Sequence, residues 1–198
     1  MPKTWAFEAM PVSVPARAVL LRLGMRMPFA EKDLAKAGRL LRGFRPGGCA
    51  RLCALMSMPG GVLLEGETVT GAQLAAKLEG CSHALVMAST LGPEPSAQTA
   101  ALLQNGQAEQ AVWVDAAASV AVDAGLDFLM RYAEGALRPG ALLVEARRYS
   151  PGYGDCGLEN QAVLMRLLGG APCGITLLEN SWIMTPEKSV LAICGVRG

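Results

Sequence analysis

Aromatic side chains, histidine and an excess of either charge are all scarce in this sequence. Aromatics make up 5% of its 198 residues, against a hydrophobic fraction of 52%. The core must therefore be built from aliphatic and small side chains, with backbones in close approach. The single histidine, His83, would have to serve any Ser-His-Asp triad, and no Gly-x-Ser-x-Gly turn supplies the nucleophile. Cys81-Ser82-His83 offers two metal ligands where a site needs three or four, so no metal centre is expected. The cysteines at 49, 53, 81, 156, 173 and 194 include no Cys-x-x-Cys pair. They read as reduced, buried small hydrophobes of a cytoplasmic protein. With 18 basic and 17 acidic residues and a net charge of +1, the chain lacks the basic surplus of a nucleic-acid face. The charge-free stretch Pro95 to Ala108 carries Ser, Gln, Thr and Asn, and no run approaches the roughly 18 apolar residues of a spanning helix. The start, Met1-Pro2-Lys3-Thr4-Trp5, has no apolar core followed by a cleavage site. These absences exclude membrane and nucleic-acid partners and predict a cytoplasmic location.

What is present fits one domain of ordinary size, residues 1–198. Ser13-Val14-Pro15 opens a helix that Gly24 stops, and a second helix spans Lys32 to Arg42. Cys49 to Met56 and Val62 to Val69 read as strands around a Pro59-Gly60-Gly61 hairpin. Thr70-x-x-Gln73 reads as a capping box for a short helix closed by Gly80. His83 to Thr90 is a buried strand, and helices follow from Ser96 to Gly106 and from Glu109 to Ala133. The last of these is rich in small residues between Asp115 and Asp123. Ala141 to Ser150 reads as a strand, Pro151 to Gly157 as a loop and Leu158 to Leu168 as a helix. The arms Gly174 to Leu178 and Ser189 to Val196 read as a hairpin. Adjacent strands among interspersed helices favour an α+β fold over a doubly wound parallel sheet.

The segment Arg147 to Gly157 concentrates binding chemistry at a strand end, where ligand loops are found. Arg148 can grip a carboxylate with both arms of its fork. The Tyr153 ring can face a cation, and Gly152 and Gly154 let backbone approach a ligand. A zwitterionic amino acid carrying a sulfonium would find a partner here for each charge. Each residue also has a plainer reading: Arg148 as a surface ion pair, Tyr153 as a loop cap, Asp123 as a solvated helix residue. Asp115, Asp123 and Asp127 fall within one 120° arc at 100° per residue, as a wet helix face also would.

Arg148-Tyr-Ser-Pro151-Gly152-Tyr153, with Cys156 three residues on, resembles the Arg-x-x-Pro-Gly-Tyr signature of the activation (reactivation) domain of cobalamin-dependent methionine synthase. Ser181-Trp-Ile-Met184-Thr-Pro186-Glu-Lys-Ser189-Val190 resembles that family's Ser-Phe-x-Met-x-Pro-x-x-Ser-Val run, in the same order and at similar spacing. Thr90-Leu91-Gly92-Pro93 and the helix from Asp115 to Asp123 resemble its short, free-standing members. The likeness runs from about residue 80, and more faintly from Val14.

The resemblance implies an α+β fold built on a twisted antiparallel sheet with flanking helices and a shallow S-adenosylmethionine groove. It implies as partner a corrinoid-binding methionine synthase or related methyltransferase whose cobalamin has slipped to cob(II). A flavodoxin-like donor supplies one electron, and the sulfonium methyl passes to cobalt. The protein then contributes position rather than a nucleophile. Motif by motif, Arg148 is implied to hold the methionine carboxylate and Asp123 the amino group. Tyr153 lines the sulfonium and faces the corrinoid, in the catalytic position. Ser150, Pro151, Gly152, Gly154 and Asp155 complete the cofactor loop. The chain departs from the methionine synthase form at Gly154-Asp155, where that form has Pro-Ala, and at Asn180, where it has Glu.

Two alternatives differ in class. One is a corrinoid-protein docking module without cofactor binding. The other is a nicotinamide oxidoreductase, suggested by Gly152-x-Gly154-x-x-Gly157 with Glu179 about twenty residues on. Against the latter, only 198 − 157 = 41 residues follow the motif, too few for a βαβαβ half.

Overall fold

The computed structural model describes residues 3–198; Met1 and Pro2, part of the segment read for a leader, lie outside the described residues. Among the described residues, nine strands and six α-helices follow one another as β1 (Thr4–Phe7), α1 (Ala16–Arg22), α2 (Glu31–Arg42), β2 (Gly47–Met58), β3 (Gly61–Leu64), β4 (Glu67–Thr70), α3 (Ala72–Lys77), β5 (His83–Thr90), α4 (Glu94–Gln104), α5 (Ala108–Leu137), β6 (Leu143–Tyr149), α6 (Asn160–Leu167), β7 (Thr176–Leu177), β8 (Met184–Thr185) and β9 (Ser189–Arg197). Seven of the strands form one sheet in the order β4-β3-β2-β5-β9-β6, with β1 paired to the first half of β2. Every pairing in it is antiparallel. The α+β expectation therefore holds, and among the described residues no parallel crossover supports a dinucleotide fold.

Side-chain alternation sorts the central strands onto two cores. On β5, Ala84, Val86 and Ala88 face a layer closed by α3 and α6, through Leu74, Leu78, Leu164 and Leu167. Leu85 and Met87 face the other way, onto Leu126, Leu129, Ala133 and Leu137 of α5. Being covered on both faces, β5 reads as a continuous apolar run rather than an alternating one. A third cluster, Val19, Leu20 and Ala37 with Trp113, Ala116 and Ala117, fastens α1 and α2 to the first half of α5.

Two expectations are corrected. Val62 to Val69 is not one strand. Glu65 and Gly66 both take positive φ, 50° and 89°, and turn the chain back, so β3 and β4 form a hairpin of their own. The apolar run hid a break that only the Glu-Gly dipeptide marked. The C-terminal arms also do not pair with each other. Thr176–Leu177 pairs with Met184–Thr185 in a two-stranded ribbon, while β9 enters the main sheet between β5 and β6. The intervening turn is tight, with Leu178 N–H donating to Ile183 O at 2.8 Å, and it used up the strand expected to meet Ser189.

Helix α5 is 30 residues long, about 45 Å at 1.5 Å per residue. Its small residues set how close it lies to the sheet. At Gly125 an added Cβ would collide with Ser89 Oγ and come within 2.8 Å of Met10 Cε and 3.0 Å of Ser89 Cβ. Ser89 Oγ is buried without a hydrogen-bond partner among the described residues. Gly125→Ala is therefore expected to destabilise the fold by about 1–3 kcal/mol, despite alanine's better helix propensity. Adding Ser89→Ala should return part of that loss, because the hydroxyl being removed satisfies nothing. Chemical denaturation of the two single variants and the double variant measures the coupling.

Candidate functional site

The segment Arg147 to Gly157 begins on β6, the edge strand of the sheet. Between Val144 and Arg148, β6 advances four residues while its partner β9 advances two, from Val196 to Cys194. This bulge re-aims the side chains that follow, as bulges beside binding sites do. Arg148 turns to the face covered by α5. Tyr149, next along, packs against the opposite core.

On the α5 side, the Arg148 guanidinium sits between two carboxylates. Nη2 lies 2.7 Å from Asp123 Oδ2, and Nη1 donates to Asp127 Oδ1. The arginine side chain is 23% exposed, its partners 57% and 47%. Burial alone would lower the Arg148 pKa, but hydrogen bonds and charge from Asp123 and Asp127 outweigh it and raise it. The trio carries a net charge of −1. Beside it, a cavity of about 310 Å³ opens between α5 and β6, lined by Asp127, Met130, Val144 and Glu145 among others.

The structure thus brings together Arg148 and Asp123, 25 residues apart in the chain, and adds Asp127. The sequence pattern left Asp127 on a wet face because its partner lies on a distant strand. The available signal was the Asp123/Asp127 spacing of i and i+4, which puts both acids on one side of the helix. Asp115, on the same arc, is engaged as well: its Oδ1 lies 2.6 Å from Nζ of Lys188, a residue only 8% exposed. Lys188 was not singled out from the sequence, where it looked like an ordinary turn residue.

The remaining site residues gather on the other side of β6. Gly152 N–H donates to Cys156 O at 2.7 Å and Cys156 N–H to Tyr153 O at 3.1 Å. The Tyr149 hydroxyl donates to Tyr153 O at 2.7 Å. Asp155 accepts from the N–H groups of Ala72 at 2.7 Å and Gln73 at 3.2 Å. It therefore caps α3, which replaces the expected Thr70/Gln73 capping box: the residue before the helix is Gly71, and no neighbouring side chain caps it. Gly152 and Gly154 hold φ of +94° and +56°. An added Cβ would meet Leu158 Cδ2 at 2.9 Å in the first case and Tyr149 Oη at 2.6 Å in the second. Both glycines are thus required by the packing of the loop itself. Pro151 and Cys156 are buried, Ser150 is half-buried, and Tyr153 is 69% exposed.

Among the described residues no group of three or more His, Cys, Asp or Glu is placed to hold a metal ion, and no helix is long and apolar enough to cross a membrane. Gly157 is packed against its neighbour Glu159, and β6 leads into an antiparallel pair. The Gly-x-Gly-x-x-Gly spacing therefore lacks its dinucleotide context.

No family model matches the chain, and no curated protein matches it by sequence. Its fold is similar to the crystal structure of the MetH reactivation domain bound to AdoHcy, with a TM-score of 0.62 and 16% identity over 98% of this chain and 78% of that one. The α+β architecture is thus like that of this reactivation domain.

Asp155→Ala should cost about 1 kcal/mol of stability, the usual worth of an N-cap side chain, and Asp155→Asn clearly less. Denaturation midpoints test this. A loss much below that value would mean the cap does not hold the loop against α3.

Proposed function

We propose that residues 1–198 form one activation-domain-like unit that binds S-adenosylmethionine and presents its methyl group to a corrinoid held by a separate methionine synthase or related methyltransferase. The observation that carries this reading is the Arg148–Asp123–Asp127 cluster, set at the bulged edge strand of a fold like that of a domain solved with AdoHcy bound.

The donor set suits the cofactor. S-adenosylmethionine carries an ammonium, a carboxylate and a sulfonium, a net charge of +1, against −1 for the cluster. Arg148 takes the ligand carboxylate in its fork. Asp123, freed from the guanidinium, takes the ammonium, and Asp127 keeps Arg148 oriented. Arg148 is charge-neutralised before binding, so the ligand exchanges one set of ion pairs for another and no bare charge is buried. Tyr153 and the loop backbone stand at the end of the same edge strand, so the ligand reaches them by lying along the open side of β6. The chemistry supplied is transfer of the sulfonium methyl to reduced cobalt, with one electron from a flavodoxin-like or other donor. The chain's own residues bind, orient and expose the methyl group. Tyr153 supplies a ring face to the sulfonium.

Calorimetric titration of the purified chain with S-adenosylmethionine, S-adenosylhomocysteine and NADH tests the reading. Saturable binding of S-adenosylmethionine is expected, tighter by several-fold than S-adenosylhomocysteine, whose lost charge is worth about 1 kcal/mol in a solvent-exposed site. Arg148→Ala should abolish it. Absence of binding by the folded wild type would leave the docking module, and binding of NADH would restore the nicotinamide reading.

A further inference from the structure

A cavity of about 670 Å³ opens where β1 ends, β2 begins and β5 ends, with walls that include Phe7, Glu8, Arg45, Gly47, Thr90 and Leu91. The strand register explains why an acid and a base meet there. Phe7 pairs with Gly48, so Glu8, one step on, lies beside Gly47. A Cβ added to Gly47 would come within 3.0 Å of Glu8 O. Arg45, two residues before Gly47, is then the diagonal neighbour of Glu8. Such neighbours stand about 7–8 Å apart, within reach of long side chains. Yet Glu8 and Arg45 form no ion pair with each other, and neither has a partner of opposite charge among the described residues. Arg45 is held elsewhere: its Nη1 donates to Arg42 O at 3.0 Å and to Phe44 O at 3.1 Å, at the C-terminal end of α2. Those bonds use one nitrogen of the fork, set its direction and leave the other two for a ligand. Thr90 and Leu91 are already engaged. Thr90 Oγ1 lies 2.8 Å from Ser189 Oγ, and Leu91 N–H donates to Lys188 O at 2.9 Å.

We propose that this cavity binds a free α-amino acid with an apolar side chain, its carboxylate on Arg45 and its ammonium on Glu8. One acid and one base, close together but unpaired, match a ligand of net charge zero that carries both charges on neighbouring atoms. The remaining nitrogens of the Arg45 fork suit a carboxylate, and the Glu8 carboxylate accepts from an ammonium. A simple anion or a simple cation would leave one wall charge unanswered. Phe7 and Leu91 supply apolar surface for the ligand side chain. Gly47 leaves backbone rather than a side chain between the two charges, so the ligand can sit close to the sheet. The volume falls within the roughly 300–1,000 Å³ of small-molecule sites. The site is separate from the Arg148 cluster, so the inference does not rest on S-adenosylmethionine binding.

The test is equilibrium dialysis of the whole chain against L-leucine, L-methionine and L-phenylalanine, each also as its N-acetyl and its amide form. Saturable binding of at least one free amino acid is expected. The blocked forms, which lack one charge each, should bind it several-fold more weakly. Glu8→Gln and Arg45→Gln should each weaken the free amino acid several-fold, and Arg148→Ala should leave it unchanged. Arg45 also holds the end of α2, but Glu8 is exposed, so Glu8→Gln and the blocked ligands carry the test even if Arg45→Gln fails to fold. No binding of any of the three amino acids would overturn the proposal. So would binding that Glu8→Gln leaves intact and Arg148→Ala removes, which would put the amino acid on the Arg148 cluster instead.

Discussion

The approach of α5 to the centre of the sheet is the constraint on which the other features rest. The helix lies this close only because its contacting residues are small, down to Gly125 against Ser89. Closeness has an electrostatic corollary. The acids at the margin of the buried stripe come within reach of two cations of the sheet layer, Arg148 on β6 and Lys188 in the bend just before β9. Lys188 is buried and would be costly without Asp115 beside it. Arg148, on the edge strand, is matched by two acids where one would serve. The Asp115 end of the acidic line, paired with a buried lysine, is thus structural, and the Asp123–Asp127 end carries a surplus carboxylate. A surplus charge at an exposed edge beside a cavity is what a cationic ligand requires.

Much of this could be read from the sequence, with a pattern to the failures. Long uniform segments came out within a few residues: α2 and α5 as helices, and β5 as one unbroken apolar run. The errors fell where a local pattern had two meanings. Val62 to Val69 is apolar enough for one strand, but Glu65 and Gly66 adopt left-handed backbone and make two. Thr70 and Gln73 have capping-box spacing, but Asp155, more than 80 residues away, reaches the same N–H groups first. Long-range competition of that kind leaves no mark in a local window. The site behaved likewise. Arg148 stood out by its chemistry and Asp123 through the family resemblance, and the fold brings them together. Asp127 had only its i, i+4 spacing from Asp123 to mark it, and Lys188 had no local feature to distinguish it from a solvated residue.

The signature loop shows why a motif can resemble a family's without speaking directly of its ligand. Gly152 and Gly154 are needed for left-handed backbone against Leu158 and Tyr149. Asp155 holds α3, and Cys156 fills the core beneath. A sequence that keeps these residues keeps first a loop conformation. The nicotinamide reading failed for the same reason: three glycines at the right spacing answered to packing, not to a pyrophosphate.

Yet a loop so thoroughly tied down has a consequence for binding. The Tyr153 carbonyl accepts from both the Tyr149 hydroxyl and Cys156 N–H, while the Tyr153 side chain remains 69% exposed. Its backbone is fixed by folding, so little conformational entropy is left to lose there when a ligand arrives. Arg148 is held in the same sense, its fork already extended between two carboxylates. Each is fixed by its own network, Arg148 on the α5 side of β6 and Tyr153 in the loop that follows the strand. A ligand that met both would find partners already ordered by folding.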